Sequence, residues 1–205
     1  MSLANELRQH IRGQRNALSK AEVQHAARDV AKCITALPIF SEAQHLAGYL
    51  AHNGEMDPAP ILEQAFALGK SVYLPVLQGK RKPMLFAPYR PGMSLKLNRF
   101  GIPEPDGRLE DMLTPKHLDL VVTPLVAFDH HGNRLGMGGG FYDRTFAFLN
   151  QPPYPTKPCL LGVAYELQKV ANIVCQPWDV PLAVVVTEAA IYTRATALSD
   201  TKSVL

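Results

Sequence analysis

Strand-like apolar segments alternate with helix-like segments along this chain, and that alternation limits its fold more than any other feature. His45–Ala51 has the character of a buried strand, and Ser71–Leu77 has that of a second one. Between them, Asp57 followed by Pro58 is typical of a helix start, and Gly69 is typical of a helix end. A strand, a helix and a strand in this order form a β-α-β unit, which joins parallel strands.

The alternation continues in the second half of the chain. Leu118–Thr123, Leu160–Tyr165 and Leu182–Thr187 are predicted strands, and helices are predicted to begin near Phe141 and near Glu166. Strands that alternate with helices in this way predict an α/β fold. We expect a doubly wound, mostly parallel sheet with helices on both faces.

Two helices are predicted before the first strand. Residues 3–18 repeat apolar side chains at helical spacing, with arginines on the flanks. Ser19 and Glu22 form a capping box that begins a second helix. This helix is predicted to extend to about Ala36, where Pro38 stops it.

Residues 78–117 differ from the rest, because they are rich in Pro and Gly and contain one short alternating segment, Met84–Tyr89. We expect a hairpin and long loops here, over one end of the sheet. The chain has 205 residues, which is enough for one α/β domain. We therefore predict a single domain over residues 1–205, with residues 195–205 as a frayed tail.

Composition argues against several classes of protein. The hydrophobic fraction of 47% and the charged fraction of 19% are ordinary for a globular protein. No apolar run is long enough to span a membrane, and the first residues lack a signal-peptide core, so we expect a cytoplasmic protein. Cys33, Cys159 and Cys175 lack the CxxC spacing of a zinc site. A net charge of +3 does not indicate nucleic acid binding, but it suits anionic substrates.

The glycine-rich run Asn133–Arg144 is the strongest local signal of chemistry. It follows an apolar strand and opens a helix, so its backbone N–H groups and the helix N-terminus can bind an anion. It is neither a Walker A loop nor a GxGxxG motif followed by a ribose-binding acid. A plain glycine turn is the alternative. Arg134, Tyr142, Asp143 and Arg144 surround the glycines and favour phosphate binding.

The segment Leu118–Asp143, LDLVVTPLVAFDHHGNRLGMGGGFYD, resembles the signature of the 5-formyltetrahydrofolate cyclo-ligase family. YLAHNGEMD (Tyr49–Asp57), VYLPVL, FGIPEP and WDVPLAVVVTE (Trp178–Glu188) also resemble that family in order and approximate spacing. The resemblance covers nearly the whole chain. It implies an α/β fold related to sugar-phosphate isomerases and CoA transferases. It also implies the conversion of 5-formyltetrahydrofolate and ATP to 5,10-methenyltetrahydrofolate, ADP and phosphate, with Mg²⁺.

The resemblance implies that the glycine loop and the first helix bind ATP. The implied ATP-binding residues are Arg8, Arg12, Arg134, Leu135, Gly136, Met137, Gly138, Gly139, Gly140, Phe141 and Tyr142. Some members have arginine and lysine where this chain has Met137 and Gly139, and members often have a lysine where it has Ala4. Arg12, one turn after Arg8, is a candidate to replace the missing lysine, and a solvated basic face of the helix is the alternative. For catalysis we expect positive charge from Arg134 and Arg144, together with Tyr142.

The resemblance also implies a folate site and a metal site. The implied folate-binding residues are Leu50, Glu55, Met137, Gly138, Gly139, Gly140 and Phe141. Glu55 lies in a turn after a strand, and its carboxylate can accept paired N–H bonds from a pterin edge. Asp143 and Asp179 are the implied Mg²⁺ ligands, since Mg²⁺ prefers oxygen ligands. From the residues alone, Glu55 could equally be a solvated turn residue, Asp143 a charge at a helix N-terminus and Asp179 a turn residue.

The expected chemistry needs positioned charge more than a protein nucleophile. ATP would phosphorylate the formyl oxygen, and the side-arm nitrogen of the folate would then attack the same carbon. No convincing Ser-His-Asp or Cys-His constellation competes with this, and His130 and His131 are interpreted as surface residues.

Two other classes of protein stay open at the level of sequence. An isomerase or CoA-transferase-like enzyme would need a buried catalytic carboxylate or lysine in the glycine-loop cleft. A nucleic-acid-binding module would need a basic face with interleaved aromatics, but aromatic residues form only 8% of the chain and are not so arranged. We expect a monomer that acts on small molecules, without nucleic acid or membrane partners.

Overall fold

The computed structural model describes residues 2–79 and 81–194, which form the helices and strands of an α/β fold. The helices are α1 (Leu3–Asn16), α2 (Lys20–Thr35), α3 (Pro38–Glu42), α4 (Ala59–Ala67) and α5 (Phe141–Phe146). The strands are β1 (His45–Ala47), β2 (Ser71–Val76), β3 (Leu85–Pro88), β4 (Leu95–Leu97), β5 (Pro103–Pro105), β6 (Leu120–Pro124), β7 (Ala127–Phe128), β8 (Arg134–Leu135), β9 (Cys159–Val163), β10 (Val184–Val186) and β11 (Ile191–Thr193).

Seven of these strands form the central sheet, in the order β11-β10-β9-β6-β1-β2-β3. The five inner strands are parallel to one another, and β3 and β11 pair antiparallel at the two edges. The chain leaves β1 towards β2 on one side and returns to β6 on the other side. The prediction of a mostly parallel α/β sheet is therefore confirmed, and its strand order reverses between β1 and β6.

Alternate residues of each strand enter two cores on opposite faces of the sheet. Leu120 and Val122 of β6 lie in the core that α2, α3 and α4 cover. Val121 lies in the other core, against Phe146 of α5. Side chains of successive strand residues point to opposite faces, so a strand buried on both sides is apolar at every position. Helices cover both faces, as predicted, although α5 is short.

The capping signals in the N-terminal half act as predicted. The side chain of Ser19 accepts a hydrogen bond from Glu22 N (3.2 Å), and the Glu22 carboxylate accepts one from Ser19 N (2.8 Å). Gly69, with φ +71°, follows the last residues of α4. Pro38 does more than end a helix, because it is itself the first residue of α3. Proline fits there since the first turn of a helix leaves its N–H groups unpaired.

Other boundaries differ from the predictions. The first strand ends at Ala47 instead of Ala51, after which the chain turns into the loop that carries Glu55. The helix predicted near Glu166 is a single 3-10 turn, Glu166–Gln168. It stops there because Val170 N donates to Phe128 O (2.8 Å) in a neighbouring segment, instead of continuing the helix.

The proline-rich middle of the chain forms two antiparallel pairs. Leu85–Pro88, within the predicted alternating segment, pairs with β2 at the sheet edge. Further on, β4 and β5 pair as a separate hairpin, which lies over the carboxyl end of the sheet beside β2. The hairpin and loops predicted for residues 78–117 are therefore confirmed. The predicted tail at 195–205 lies outside the described residues, and the single-domain assignment stays a prediction.

Candidate functional site

A cleft of about 440 Å³ lies at the carboxyl ends of β1, β2 and β6, where the strand order reverses. Ligands of open α/β sheets bind at such a position. Four segments form its walls: the turn after β1, the loop after β6, the glycine loop and the β4–β5 hairpin. Of the predicted site residues, those that line it are Leu50, Glu55, Arg134, Gly136, Met137, Gly139, Gly140, Phe141, Tyr142 and Asp143.

Glu55 is held in the turn that follows β1. Its carboxylate accepts a hydrogen bond from His52 N (3.0 Å), and its own N–H donates to His52 O (3.2 Å). Burial raises the pKa of Glu55, while His52 N–H and the charges of Arg15 and Arg12 oppose that rise. Leu50 lines the cleft on the same turn. Glu55 is therefore a carboxylate shielded from water in a mostly apolar cleft, where a ligand N–H can bind it strongly.

The glycine loop has the backbone conformation that its composition predicts. Gly138 (φ +97°) and Gly140 (φ +62°) are in the left-handed region, and Gly140 is the N-cap of α5. Gly139 lacks a positive φ, but a Cβ there would lie 2.8 Å from the Phe141 ring. Glycine is thus required at 138 and 140 by conformation and at 139 by close approach.

The first helix packs its basic face on this loop. Arg8 Nε donates to Gly136 O (2.8 Å), and an Arg12 guanidinium nitrogen lies 3.1 Å from Met137 Sδ. Leu135, on β8, packs beside Leu7 of α1 in a small apolar cluster. Arg8 and Arg12 are therefore next to the loop, as an ATP-binding role requires. That role itself stays a prediction.

Arg134 joins the glycine loop to the segment that precedes β10. Its side chain is 5% exposed, and it donates to Asp143 Oδ1 (2.6 Å) and to the carbonyl of Val180. Val180 N also donates to Asp143 Oδ1 (3.2 Å). Burial lowers the pKa of Arg134, and the Asp143 charge opposes that shift. The Arg134–Asp143 ion pair lines the cleft, but Asp143 already neutralises part of the charge of Arg134.

The two predicted metal ligands lie on either side of Val180. Asp179 precedes it in the chain, and one Asp179 carboxylate oxygen accepts from Gln176 N (2.8 Å). Asp179 lines a second cavity of about 250 Å³, which Arg134, Asn150 and Arg194 also line. No cluster of three His, Cys, Asp or Glu side chains with metal-site geometry exists among the described residues. Two carboxylates fit Mg²⁺ by donor type, provided that phosphate oxygens and water complete the coordination.

The aromatic residues at the start of α5 face the cleft, whereas Arg144 lies behind them. Phe141 meets Phe100 of the β4–β5 hairpin edge-on, with ring centroids 5.9 Å apart. Burial raises the pKa of Tyr142, and the charge of Glu55 raises it further. Arg144 donates to Gly139 O (2.7 Å), and its guanidinium lies 5.1 Å from the Phe141 centroid. Arg144 thus supports the loop in this conformation.

The sequence analysis missed two charged residues at this site. Glu104 of β5 lines the cleft, is 6% exposed, and accepts from Leu77 N (3.1 Å) and Asn98 Nδ2 (2.9 Å). Arg15 of α1 is 2% exposed and lies one turn after the buried Ile11. The spacing of Ile11 and Arg15 was an available signal, since it places a charge on the buried face of the helix. No comparable signal marks Glu104, because the flanking residues Pro103 and Pro105 suggest only a loop.

His130 and His131 are exposed, with ring centroids 3.7 Å apart, and neither lines the cleft. The buried carboxylate of Asp129 beneath them accepts hydrogen bonds from the N–H groups of His131 (2.9 Å), Asn133 (3.1 Å) and Ile173 (2.9 Å). Asp129 therefore orders the turn that leads into β8. In the part of the chain that the structure covers, no helix has the length and hydropathy needed to cross a membrane.

The chain is similar to known proteins along most of its length. The chain is 40% identical to the 5-formyltetrahydrofolate cyclo-ligase of Escherichia coli K12 over 183 residues, which cover 89% of this chain and 98% of that protein. It is 38% identical to the enzyme of the same name from Haemophilus influenzae, over 86% of this chain and 93% of that protein.

A solved structure of a protein with a related name also has the same fold. The fold matches the NMR structure of Aquifex aeolicus 5,10-methenyltetrahydrofolate synthetase with a TM-score of 0.79 and 29% identity, covering 100% of this chain and 97% of that one. Residues 1–188 match the model of the 5-formyltetrahydrofolate cyclo-ligase family. The chain therefore belongs to the 5-formyltetrahydrofolate cyclo-ligase family of enzymes.

Proposed function

We propose that this enzyme uses ATP and Mg²⁺ to convert 5-formyltetrahydrofolate to 5,10-methenyltetrahydrofolate, with release of ADP and phosphate. The observation that carries the proposal is the cleft in which the half-buried Glu55 carboxylate and the glycine loop line the same space. A pterin donor edge at Glu55 and a nucleotide phosphate at the loop would bring the two substrates together. Family membership supports the same reaction.

Folate recognition is assigned to the Glu55 side of the cleft. The carboxylate would accept the paired N–H groups of the pterin, while Leu50 and Phe141 contact its faces. The loop residues Met137–Gly140 would run along the remainder of the folate. Because most of the lining is apolar, water is excluded from the reacting formyl group, which protects an activated intermediate from hydrolysis.

ATP binding is assigned to the glycine loop and the face of α1 that packs on it. The backbone N–H groups of Gly138–Gly140 would contact the phosphates, and Arg8 and Arg12 would add positive charge from the helix. Arg8 now donates to Gly136 O, so a bound nucleotide would compete for that group. Asp143 and Asp179 would hold Mg²⁺, which neutralises phosphate charge during transfer.

The proposed reaction has two chemical steps. The formyl oxygen attacks the terminal phosphorus of ATP, which breaks the bond to ADP and gives an iminium phosphate. The side-arm nitrogen then attacks the formyl carbon, loses its proton and closes the five-membered ring as phosphate leaves. Arg134, Tyr142 and Arg144 are the residues to which we assign charge neutralisation and hydrogen bonding in these steps. We further expect a cytoplasmic monomer without nucleic acid or membrane partners.

Turnover with each component omitted tests the proposal. Purified protein should form methenyltetrahydrofolate, followed by its near-ultraviolet absorbance, only when 5-formyltetrahydrofolate, ATP and Mg²⁺ are all present. Equal turnover without nucleotide would contradict the ligase chemistry and favour an isomerase-like reaction, in which the half-buried Glu55 or the buried Glu104 acts on the substrate directly.

A further inference from the structure

Arg15 brings a guanidinium group into the protein interior at the C-terminal end of α1. The residue is 2% exposed, and burial lowers its pKa. Among the described residues no carboxylate lies within ion-pair distance of it, although the charge of Glu55 opposes the fall in its pKa, and its Nε has no hydrogen-bond partner there. Replacing a buried ion by an apolar side chain is often neutral or stabilising. Folding stability alone is therefore a poor reason for a charge at this position.

The contacts of Arg15 connect α1 to two of the segments that line the cleft. One guanidinium nitrogen donates to Asn53 O (2.9 Å), and the other lies 3.5 Å from Leu125 O. Asn53 has φ +51° and lies two residues before Glu55, whereas Leu125 directly follows β6 and lines the cleft. Arg15 therefore anchors the turn that carries Glu55 through the backbone of Asn53, one of the two turn residues with a positive φ.

The same helix contacts the glycine loop one and two turns earlier. Arg8 donates to Gly136 O, and Arg12 lies against Met137. At the other end, a Cβ at Gly54 would be 3.0 Å from the Asn16 side chain and 3.7 Å from Arg15 Cβ, so the turn fits closely against α1. A 14-residue helix thus joins the loop assigned to ATP and the turn assigned to folate.

We propose that Arg15 is a positioning residue that couples nucleotide binding at the glycine loop to folate binding at the Glu55 turn. This inference rests on the proposed function, because it takes ATP and folate as the two ligands. A nucleotide bound between the loop and α1 fixes the helix. The fixed helix, through Arg15 and Asn53 O, holds the Glu55 turn in place, so folate then binds an already ordered turn. The effect is reciprocal, because a coupling free energy is shared by both ligands.

The coupling is measured as a ratio of two affinities. The dissociation constant of 5-formyltetrahydrofolate is determined by titration with and without a non-hydrolysable ATP analogue and Mg²⁺. In the unmodified enzyme we expect the analogue to tighten folate binding by at least about fivefold, the lower end of typical coupling. In Arg15→Met the ratio should fall to about one, as no coupling free energy remains. If Arg15 had a purely structural role, the substitution would weaken the binding of both ligands and leave the ratio unchanged.

Two further variants make the test specific. Arg15→Lys keeps the positive charge, but a single ammonium lacks the planar fork that reaches Asn53 O and Leu125 O together, so the ratio should also fall. Arg28→Met, on the exposed side of α2, removes a charge by the same substitution and should keep the ratio of the unmodified enzyme. Thermal unfolding of each variant checks that it folds, and Arg15→Lys provides the measurement if Arg15→Met does not fold.

The outcomes separate this inference from the proposed function. An unchanged ratio in a folded Arg15 variant would overturn the coupling role. A ratio of one in the unmodified enzyme, with both ligands bound, would also overturn it while the proposed function stands. If the unmodified enzyme binds neither ligand, the proposed function is contradicted, and the coupling role that rests on it is contradicted with it.

Discussion

The carboxylate of Glu55 lies half-buried in the cleft, and we propose that it is the acceptor for the pterin. Glu55→Gln keeps the size of the side chain but removes the charge and places an N–H group against the donors of the ligand. Loss of one charge-assisted hydrogen bond costs about 1.5–3 kcal/mol, so folate affinity should fall about ten- to a hundredfold. The Michaelis constant for ATP should change little. A direct folate titration that shows unchanged affinity would make the pterin assignment wrong.

The pH dependence of folate binding follows from the same residue. Burial raises the pKa of Glu55, so the carboxylate takes up a proton at a higher pH than an exposed glutamate does. Folate binding should therefore be complete above this raised pKa and should be lost as the pH falls through it. The Glu55→Gln variant should lack this acid limb, which a pH series of titrations would reveal.

Asp143 has two partners in the protein besides the proposed metal. Asp143→Asn removes the charge that compensates the buried Arg134, and breaking such a pair costs up to about 3–5 kcal/mol. We expect a higher Mg²⁺·ATP requirement or a lower turnover, with little change in folate affinity. Turnover measured against Mg²⁺ concentration tests this, and thermal unfolding separates the loss of stability. A variant that is less stable but has a normal Mg²⁺ dependence would argue against Asp143 as a ligand.

Two substitutions of Gly139 test whether backbone amides or side-chain charges bind the phosphates. A Cβ at this position would collide with the Phe141 ring, so Gly139→Ala should weaken ATP binding and slow turnover while the fold survives. Gly139→Lys adds the charge that some family members have there. If the amides suffice, the lysine only adds bulk and activity falls. A lower Michaelis constant for ATP in Gly139→Lys would show that the site lacks positive charge, and the amide interpretation would then be wrong.

At the scale of elements, α1 and the turns at the carboxyl ends of the strands determine the site. Gly13 lies on the exposed side of α1, has no positive φ and would have no atom within 4 Å of an added Cβ. Gly13→Ala should therefore stabilise the protein by about 0.5–1 kcal/mol, because alanine loses less conformational freedom in a helix. Denaturant unfolding measures this change. An unchanged or lower free energy of unfolding would indicate that α1 contributes little to the cooperative fold.

Most elements could be predicted from local signals, since each depends on neighbouring residues. The Ser19–Glu22 capping box and the apolar segment at 118–123 are of this kind, and both were found where the sequence placed them. The helix expected near Glu166 was wrong, because a long-range bond from Val170 N to Phe128 O replaces helical bonding. No local pattern reports such a contact.

At the scale of the whole molecule, the reversal of strand order between β1 and β6 brings distant segments into one site. The turn with Glu55 and the loop with Gly139 are far apart in sequence, yet both line the cleft. Family resemblance identified these residues. It did not reveal that Arg15 binds the Glu55 turn to α1 or that Glu104 lines the cleft, because both depend on tertiary packing.

We propose that this cleft brings the formyl oxygen of the folate to the terminal phosphate of ATP. The most direct test follows that oxygen. 5-Formyltetrahydrofolate labelled with ¹⁸O in the formyl group is converted with unlabelled ATP in unlabelled water, and the phosphate released is analysed by mass spectrometry. We predict that the phosphate carries one ¹⁸O atom for each turnover. Unlabelled phosphate would contradict the account, because it would mean that ATP is hydrolysed without phosphorylation of the formyl oxygen.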